Sequence, residues 1–215
     1  MPTQVLIVDD HPVVREGLAI YLKSEPDLSV CGEAADVRQA MKMLEDQCPD
    51  VVIVDIQLAD SNGLDLVKRI KARDEKTKVL VWSNSPDSLY AQRALQAGAL
   101  GYINKRHATS RIVEAIRRVR EGRIFLCEET ADQLLTSAVS GRRELRPCGA
   151  EALTNRELEI FRLIGQGQST SQIAEALHRS VHTIESHRTK IKEKLGVKTA
   201  SELSRVAVQW VLENG

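Results

Sequence analysis

The 215-residue chain carries 30 Lys and Arg against 30 Asp and Glu, so its formal net charge is zero and a uniformly basic or acidic character is excluded. With 42% hydrophobic and 28% charged residues the chain has the composition of a core-forming protein rather than a disordered one, and its length accommodates one large domain or two small ones. No apolar run approaches the roughly 20 residues of a membrane helix, and Met1-Pro2-Thr3-Gln4 lacks the basic start and apolar stretch of a leader; a cytoplasmic protein without a membrane partner is expected.

From the N-terminus, Val5-Leu6-Ile7-Val8 reads as a strand and the apolar-periodic segment Pro12 to Lys23 as the helix after it. The pair recurs as Leu28 to Ala34 then Val37 to Gln47, Val51 to Val54 then Leu64 to Ala72, Val79 to Trp82 then Asp87 to Ala97, and Leu100 to Ile103 then Thr109 to Arg120. Near-continuous apolar strands alternating with helices predict a doubly wound α/β domain over residues 1–122, its five-stranded parallel sheet covered on both faces. Residues 123–150 read as a partly helical linker: Glu129 to Val139 suits a helix, but Ser140-Gly141-Arg142-Arg143 and Arg146-Pro147-Cys148-Gly149 interrupt it. In residues 151–215 the strand signal disappears, and Asn155 to Gln166, Ser171 to Leu177, Val181 to Leu195 and Ala200 to Leu212 predict a second, smaller all-α domain. Thr154-Asn155-Arg156-Glu157 is a capping box, Ser180 and Thr199 are N-cap candidates, and Gly167 and Gly196 stand where helices end. Cys31, Cys48, Cys127 and Cys148 are far apart, with no paired spacing and no interleaved His, which argues against a disulfide framework or a zinc site. Two Trp, three Tyr and two Phe leave core packing to aliphatic side chains and supply no base-stacking platform.

Ligands of open parallel sheets bind beyond the carboxyl ends of the strands. There the first strand delivers Asp9 and Asp10, the third Asp55, the fourth Ser83 and the fifth Lys105. Three carboxylates at one edge repel one another unless a divalent cation neutralises them, and Mg²⁺ suits a site with few protein oxygens completed by water and phosphate. Lys105 offers a cation to a bound anion and Ser83 a hydroxyl donor, so these are the parts for moving a phosphoryl group onto Asp55 as nucleophile. Taken singly, Asp9 or Asp10 also suits a cap for the helix at Pro12, and Lys105 a solvated side chain.

On Val-Asp-Asp-His-Pro (8–12), Val-Ile-Val-Asp-Ile (52–56), Gly63, Ser83 and Gly101-Tyr102-Ile103-Asn104-Lys105, residues 5 to 122 resemble the receiver domains of response regulators, which share the flavodoxin-like fold. The resemblance implies that Asp55 accepts phosphate from a histidine kinase or a small phosphodonor. It further implies that Asp10, Asp55 and the carbonyl of Gln57 ligate Mg²⁺, with Asp9 acting through water, and that Ser83 and Tyr102 form a switch pair. In that pair Ser83 turns toward the phosphoryl group and Tyr102 rotates inward behind it; a half-buried aromatic without a switching role is the other reading of Tyr102. Three positions depart from the family pattern: Leu58-Ala59 replaces a Met-Pro pair, Arg106 stands where many receivers carry a proline, and Trp82 adds bulk beside Ser83.

In the C-terminal part a short helix, a turn at His178-Arg179-Ser180 and a longer helix have helix-turn-helix spacing, whose second helix lies in the major groove. Between Arg179 and Lys198 stand six basic residues and two acidic ones, a local positive excess on a neutral chain. The pattern Leu153-Thr154-x-Arg156-Glu157, Ile173-Ala174-x-x-Leu177, Ser180-x-x-Thr183-Ile184-x-x-His187, Lys194-Leu195-Gly196-Val197 is similar to the LuxR-type DNA-binding domain. By that resemblance Glu185, Ser186 and Thr189 face bases, and His187, Arg188, Lys190 and Lys192 face the DNA backbone. Glu185 either accepts from a cytosine amino group or only caps or pairs with Arg188. The resemblance also implies that Leu203, Val206, Ala207 and Trp210 pair two DNA-binding domains, although the same stripe suits packing inside its own bundle.

The two resemblances together give the architecture of the NarL/FixJ class: a phosphorylation-switched transcription factor with a histidine kinase and double-stranded operator DNA as partners, dimeric when phosphorylated or DNA-bound. Its chemistry is confined to autophosphorylation and slow dephosphorylation at Asp55. A haloacid-dehalogenase phosphatase would need a second Asp two residues after Asp55, where Gln57 stands. A constitutive DNA-binding protein with a vestigial receiver is opposed by the full acidic set.

Overall fold

The structure, a computed structural model, describes residues 1–58, 61–106, 109–139 and 149–214. Ala59 and Cys148 lie outside the described residues, as do Ser140 to Arg143 and Arg146-Pro147 of the linker. Two compact units, Met1–Thr136 and Ser137–Gly215, make up the chain. Among the described residues no helix is long and apolar enough to cross a membrane.

In the first unit β1 (Thr3–Val8), α1 (Pro12–Lys23), β2 (Leu28–Ala34), α2 (Val37–Gln47) and β3 (Val51–Val54) follow the expected alternation. Next come a hairpin of β4 (Gln57–Leu58) and β5 (Ser61–Asn62), α3 (Gly63–Arg73), β6 (Lys78–Ser83), α4 (Asp87–Gln96), β7 (Gly101–Asn104) and α5 (Thr109–Arg120). The main sheet has the order β2-β1-β3-β6-β7, every pairing parallel. Val5 to Val8 and Val51 to Val54 are wholly buried because helices cover both faces, which is why these strands read as unbroken apolar runs. One face packs Leu18 and Leu22 of α1 and Ile112 and Ile116 of α5 on Ile7 and Ile53.

Two features had no sequence signal. The hairpin β4-β5 pairs Gln57 with Asn62 and Leu58 with Ser61 directly after Asp55, and its residues Leu58 and Asn62 are buried. Beyond α5, Phe125 bridges Gly101 on the outer edge of β7, taking a bond from Tyr102 N–H and donating to Leu100 O. Phe125 to Thr136 thus belong to the first unit, although the sequence assigned them to the linker. Helix α6 (Glu128–Val139) forms where a helix was expected.

The second unit holds a 3-10 turn (Ala150–Ala152), α7 (Asn155–Gly165), α8 (Thr170–Ala176), α9 (Val181–Leu195) and α10 (Ala200–Asn214). Thr154 and Glu157 form the expected capping box. A second box, Ser169 with Gln172, starts α8 at Thr170, one residue before the expected start at Ser171. Ser180 caps α9, whose last turn closes on Gly196 in the left-handed region at φ 68°. Between α8 and α9, His178 holds a left-handed conformation at φ 49° in the tight turn. The core joins Leu158, Phe161 and Ile164 of α7 to Ile173, Ile184, Ile191, Leu203 and Ala207.

Leu203 and Ala207 have no exposed surface, and Trp210 packs on Phe161 with ring centroids 5.4 Å apart. Leu203, Ala207 and Trp210 thus follow the second of the two readings of this stripe, packing in the bundle's own seam, and the face α10 leaves to solvent carries Arg205, Val208, Gln209 and Leu212. Gly165 makes this seam possible, since a Cβ there would meet Ala207 O at 2.4 Å.

Gly63 has the same role beside Asp55, where a Cβ would sit 1.8 Å from the Asp55 carbonyl oxygen. Gly63→Ala is expected to lower the unfolding midpoint of the first unit, by about 1–3 kcal/mol or more of overpacking, and Gly165→Ala that of the second. Calorimetry of each full-length variant checks whether the assigned transition alone moves.

Candidate functional site

At the carboxyl ends of the strands, β1 places Asp9 and Asp10, β3 Asp55, β6 Ser83 and β7 Lys105 around one point. Lys105 Nζ donates to Asp9 Oδ2 and to Asp55 Oδ2, each at 2.6 Å. All three side chains are buried, Lys105 with 8% exposure and the carboxylates with 2% and 5%. The ring of Trp82 stands 5.2 Å from the same ammonium, so the bulky residue of β6 shields the cation. Asp9 Oδ1 accepts from His11 N–H at 2.9 Å, and Gln57 N–H approaches Asp55 Oδ1 at 3.3 Å. Neither Asp9 nor Asp10 is the N-cap of α1; His11 occupies that position.

Two buried carboxylates share one cation, and the electrostatics follow. Burial pushes the Asp55 carboxyl above the ordinary carboxylate range, and the neighbouring Asp9 adds to this, against the opposing pull of Lys105 and the Ser83 hydroxyl. Burial acts to lower Lys105, but the two carboxylates outweigh it and hold the ammonium charged.

Asp10 supplies the fit for a divalent cation. Its Oδ1 is buried and has no hydrogen-bond donor among the described residues, and His11 Nδ1 lies 2.7 Å away as an ion-pair partner when protonated. Ligand atoms of Asp9, Asp10, His11 and Asp55 all lie within 4.8 Å of one another. Hard carboxylate oxygens suit Mg²⁺. His11 had no role in the sequence reading, although it directly follows the paired aspartates.

A hydrogen-bonded chain leaves this pocket. Ser85 N–H approaches Ser83 Oγ at 3.4 Å, while Ser85 O accepts from Tyr102 Oη at 2.5 Å and from Asn104 Nδ2 at 2.9 Å. Asn104 Nδ2 also donates to Asp87 Oδ1 at 3.1 Å, and Asp87 Oδ2 accepts from the Cys127 thiol at 3.4 Å. Cys127 in turn contacts Thr130 Oγ1 in the first turn of α6. Tyr102 is fully buried, not half-buried. Arg106 N–H donates to Asn104 Oδ1, a bond a proline there would forfeit.

In the second unit α9 buries Ile184 and Ile191 and exposes His182, Glu185, Ser186, Thr189 and Lys190 along one stripe. Of the expected DNA-facing residues, Glu185, Ser186, Thr189 and Lys190 share this face, while His187, Arg188 and Lys192 are partly buried on its flanks. His182 is an exposed member that sequence reasoning passed over, and helical periodicity from Glu185 and Ser186 would have found it. Arg188 Nε lies 3.7 Å from Glu185 Oε1, and Thr170 donates to the same oxygen at 2.8 Å. Lys194 is committed to structure: it donates to Glu157 Oε2 of the α7 capping box at 2.5 Å.

Removing Lys105 leaves two buried anions facing each other, so Lys105→Met in metal-free buffer is expected to destabilise the first unit by about 3–5 kcal/mol. Asp55→Asn leaves Lys105 paired with Asp9 and is expected to raise the unfolding midpoint; denaturant titration of both variants checks the opposite signs.

His187 gives a pH dependence. Burial lowers its basicity, helped by Lys190 and Arg156, and its buried Nδ1 has no partner. The folded state resists protonating it, so its contribution is fully present above the ordinary histidine range and is lost as pH falls through the lowered value. Thermal melts from pH 8 to pH 5 should show the midpoint of the second unit falling, and His187→Gln should flatten that fall; an equal slope in both proteins would contradict it.

The response regulator receiver domain family matches residues 5–117, and the luxR family of bacterial regulatory proteins matches residues 151–207. Fimbriae Z protein of Salmonella typhimurium is 34% identical over 203 residues, which span 94% of each chain. The transcriptional regulatory protein LiaR of Bacillus subtilis is 33% identical over 194 residues, covering 90% of this chain and 91% of that protein. RcsB from Salmonella enterica serovar Typhimurium, solved bound to promoter rprA with a phosphomimetic, matches with a TM-score of 0.61 at 25% identity over 97% of this chain and 99% of the other. With a receiver match followed by a luxR-family match, the chain belongs to the DNA-binding response regulators of the LuxR/NarL family.

Proposed function

We propose that this response regulator switches transcription through phosphorylation of Asp55. The observation that carries the reading is the cluster of Asp9, Asp10 and Asp55 with Lys105 between the two buried carboxylates Asp9 and Asp55. A carboxylate oxygen of Asp55 attacks the phosphorus of a phosphohistidine on a kinase or of a small acyl phosphate; the bond to the donor breaks and an aspartyl phosphate remains. Water later hydrolyses it slowly, and no other substrate is turned over; Gln57 offers no carboxyl for the acid/base work of a phosphatase. Asp10, Asp55 and the Gln57 carbonyl would hold Mg²⁺, with Asp9 acting through water, as the receiver resemblance implies. Bound there, the metal supplies neutralisation of the charge gathered on the phosphoryl oxygens.

Phosphorylation adds roughly 1.5–2 negative charges, which draw Lys105 and the Ser83 hydroxyl. Movement of Ser83 disturbs Ser85, whose carbonyl holds Tyr102 and Asn104, and through Asp87 and Cys127 reaches the first turn of α6. This chain of bonds supports Tyr102 as the switch partner of Ser83 and residues 123–150 as the connection that conveys the signal. In the second unit α9 enters the major groove with Glu185, Ser186 and Thr189 toward bases, Lys190 toward phosphates, and His187, Arg188 and Lys192 on the flanks. Solved RcsB structures include two dimers bound to two parallel DNAs. A homodimer on DNA, joined through the exposed Val208 and Leu212 of α10 with Val206 beside them, is the corresponding assembly of this cytoplasmic regulator.

Acetyl phosphate with Mg²⁺ is expected to add one phosphoryl group to the chain, lost on chelation and absent from Asp55→Asn. The labelled protein should bind DNA as a dimer in light scattering, and Leu212→Asp should weaken dimerisation without affecting labelling. Equal labelling of Asp55→Asn would overturn the phosphoacceptor assignment.

A further inference from the structure

We propose that Glu185 reads a cytosine in the major groove and that Thr170 is the residue that positions it; this rests on the reading of α9 as the groove-entering helix. Two donors converge on one carboxylate oxygen: Thr170 Oγ1 at 2.8 Å and Arg188 Nε at 3.7 Å both address Glu185 Oε1. Thr170 opens α8 while Arg188 lies one turn further along α9, so both helices of the pair hold the Glu185 side chain. Oε2 has no protein donor among the described residues, and the side chain is 56% exposed. Glu185 is thus a carboxylate with one oxygen anchored and the other available.

Such a group is unfavourable on a surface that meets DNA, since phosphates repel it whatever the sequence. It is compensated only at a base edge that donates with no acceptor beside the donor. In the major groove guanine shows acceptors at N7 and O6, thymine an acceptor at O4, and adenine a donor at N6 next to the N7 acceptor; cytosine alone offers its N4 amine unaccompanied. Guanine and thymine repel the carboxylate, adenine meets it with one attraction and one repulsion, and cytosine accepts it. Ser186 and Thr189 on the same face carry hydroxyls that donate and accept, and cannot make this distinction. Thr170 touches no base in this scheme. It holds Glu185 away from a full pairing with Arg188, so the ordering of the side chain is already complete when DNA arrives.

The test is a selection from a random duplex library at one fixed salt concentration, using the full-length chain treated with acetyl phosphate. Wild type is expected to enrich a site with one position held as cytosine in each half. Glu185→Gln should convert that position toward adenine, because a carboxamide pairs with N6 and N7 together. Thr170→Val should relax the same position by about tenfold and leave the others as they were, whereas Thr170→Ser, which keeps the hydroxyl, should restore it. Lys190→Ala serves as the contrast, weakening all sequences alike. If wild type enriches a site and Glu185→Gln enriches the same one, or if Thr170→Val weakens every position equally, the proposal is overturned while the groove assignment stands. A wild-type chain that binds duplex in a salt-dependent way yet enriches nothing would overturn the groove assignment and the proposal with it.

Discussion

The Lys105 ammonium lies between Asp9 and Asp55 with almost no solvent around it. It reaches this position from β7, the edge strand, across the ends of β6 and β3 to the end of β1. The parallel order of the sheet is what allows one side chain to meet both carboxylates. Burial raises Asp55 above the ordinary carboxylate range and the neighbouring Asp9 adds to it, while one positive charge against two negative ones leaves an excess of negative charge in a poorly hydrated place. Any anion placed on Asp55 sharpens the same imbalance, so the pocket cannot remain in its resting arrangement.

The rearrangement proposed on phosphorylation would run outward through β7, which is used on every side. Its end carries Lys105, its interior carries the buried Tyr102, its Asn104 grips the Ser85 carbonyl, and its outer edge bonds to Phe125. In the proposed switch a strand shared among so many contacts would carry a shift at one of them to the others, since close-packed interiors do not deform locally at little cost. Cys127 matters here for its place: it joins Asp87 to the first turn of α6.

Much of this was legible before any coordinates. The strands announced themselves because burial on both faces demands unbroken apolar runs such as Val51 to Val54, and the acidic cluster followed from reading what stands at their ends. Other features left no mark. The hairpin after Asp55 consists of strands of two residues, too short for any alternation to register, and it forms where Gly63 lets the backbone pass close to the Asp55 carbonyl. Phe125 carries a bond pattern of a strand without a run to reveal it. For α10 the spacing of Leu203, Val206, Ala207 and Trp210 was correctly seen as apolar, but periodicity is blind to whose surface fills the groove. Gly165 on α7, which admits α10 to close approach, decides that the stripe turns inward. Glu185 was recognised as out of place among cations, yet its partner Thr170 lies on another helix and spacing could not name it.

The chain contains two tryptophans, and they fall one to each unit: Trp82 against the Lys105 ammonium and Trp210 against Phe161 in the helical bundle. Indole emission responds to charge and polarity in its immediate surroundings. Trp82 therefore monitors the electrostatic state of the carboxylate pocket directly, and Trp210 the integrity of the α7–α10 seam. With one chromophore removed by substitution to phenylalanine, the remaining one turns the unlabelled protein into its own optical probe of a single unit.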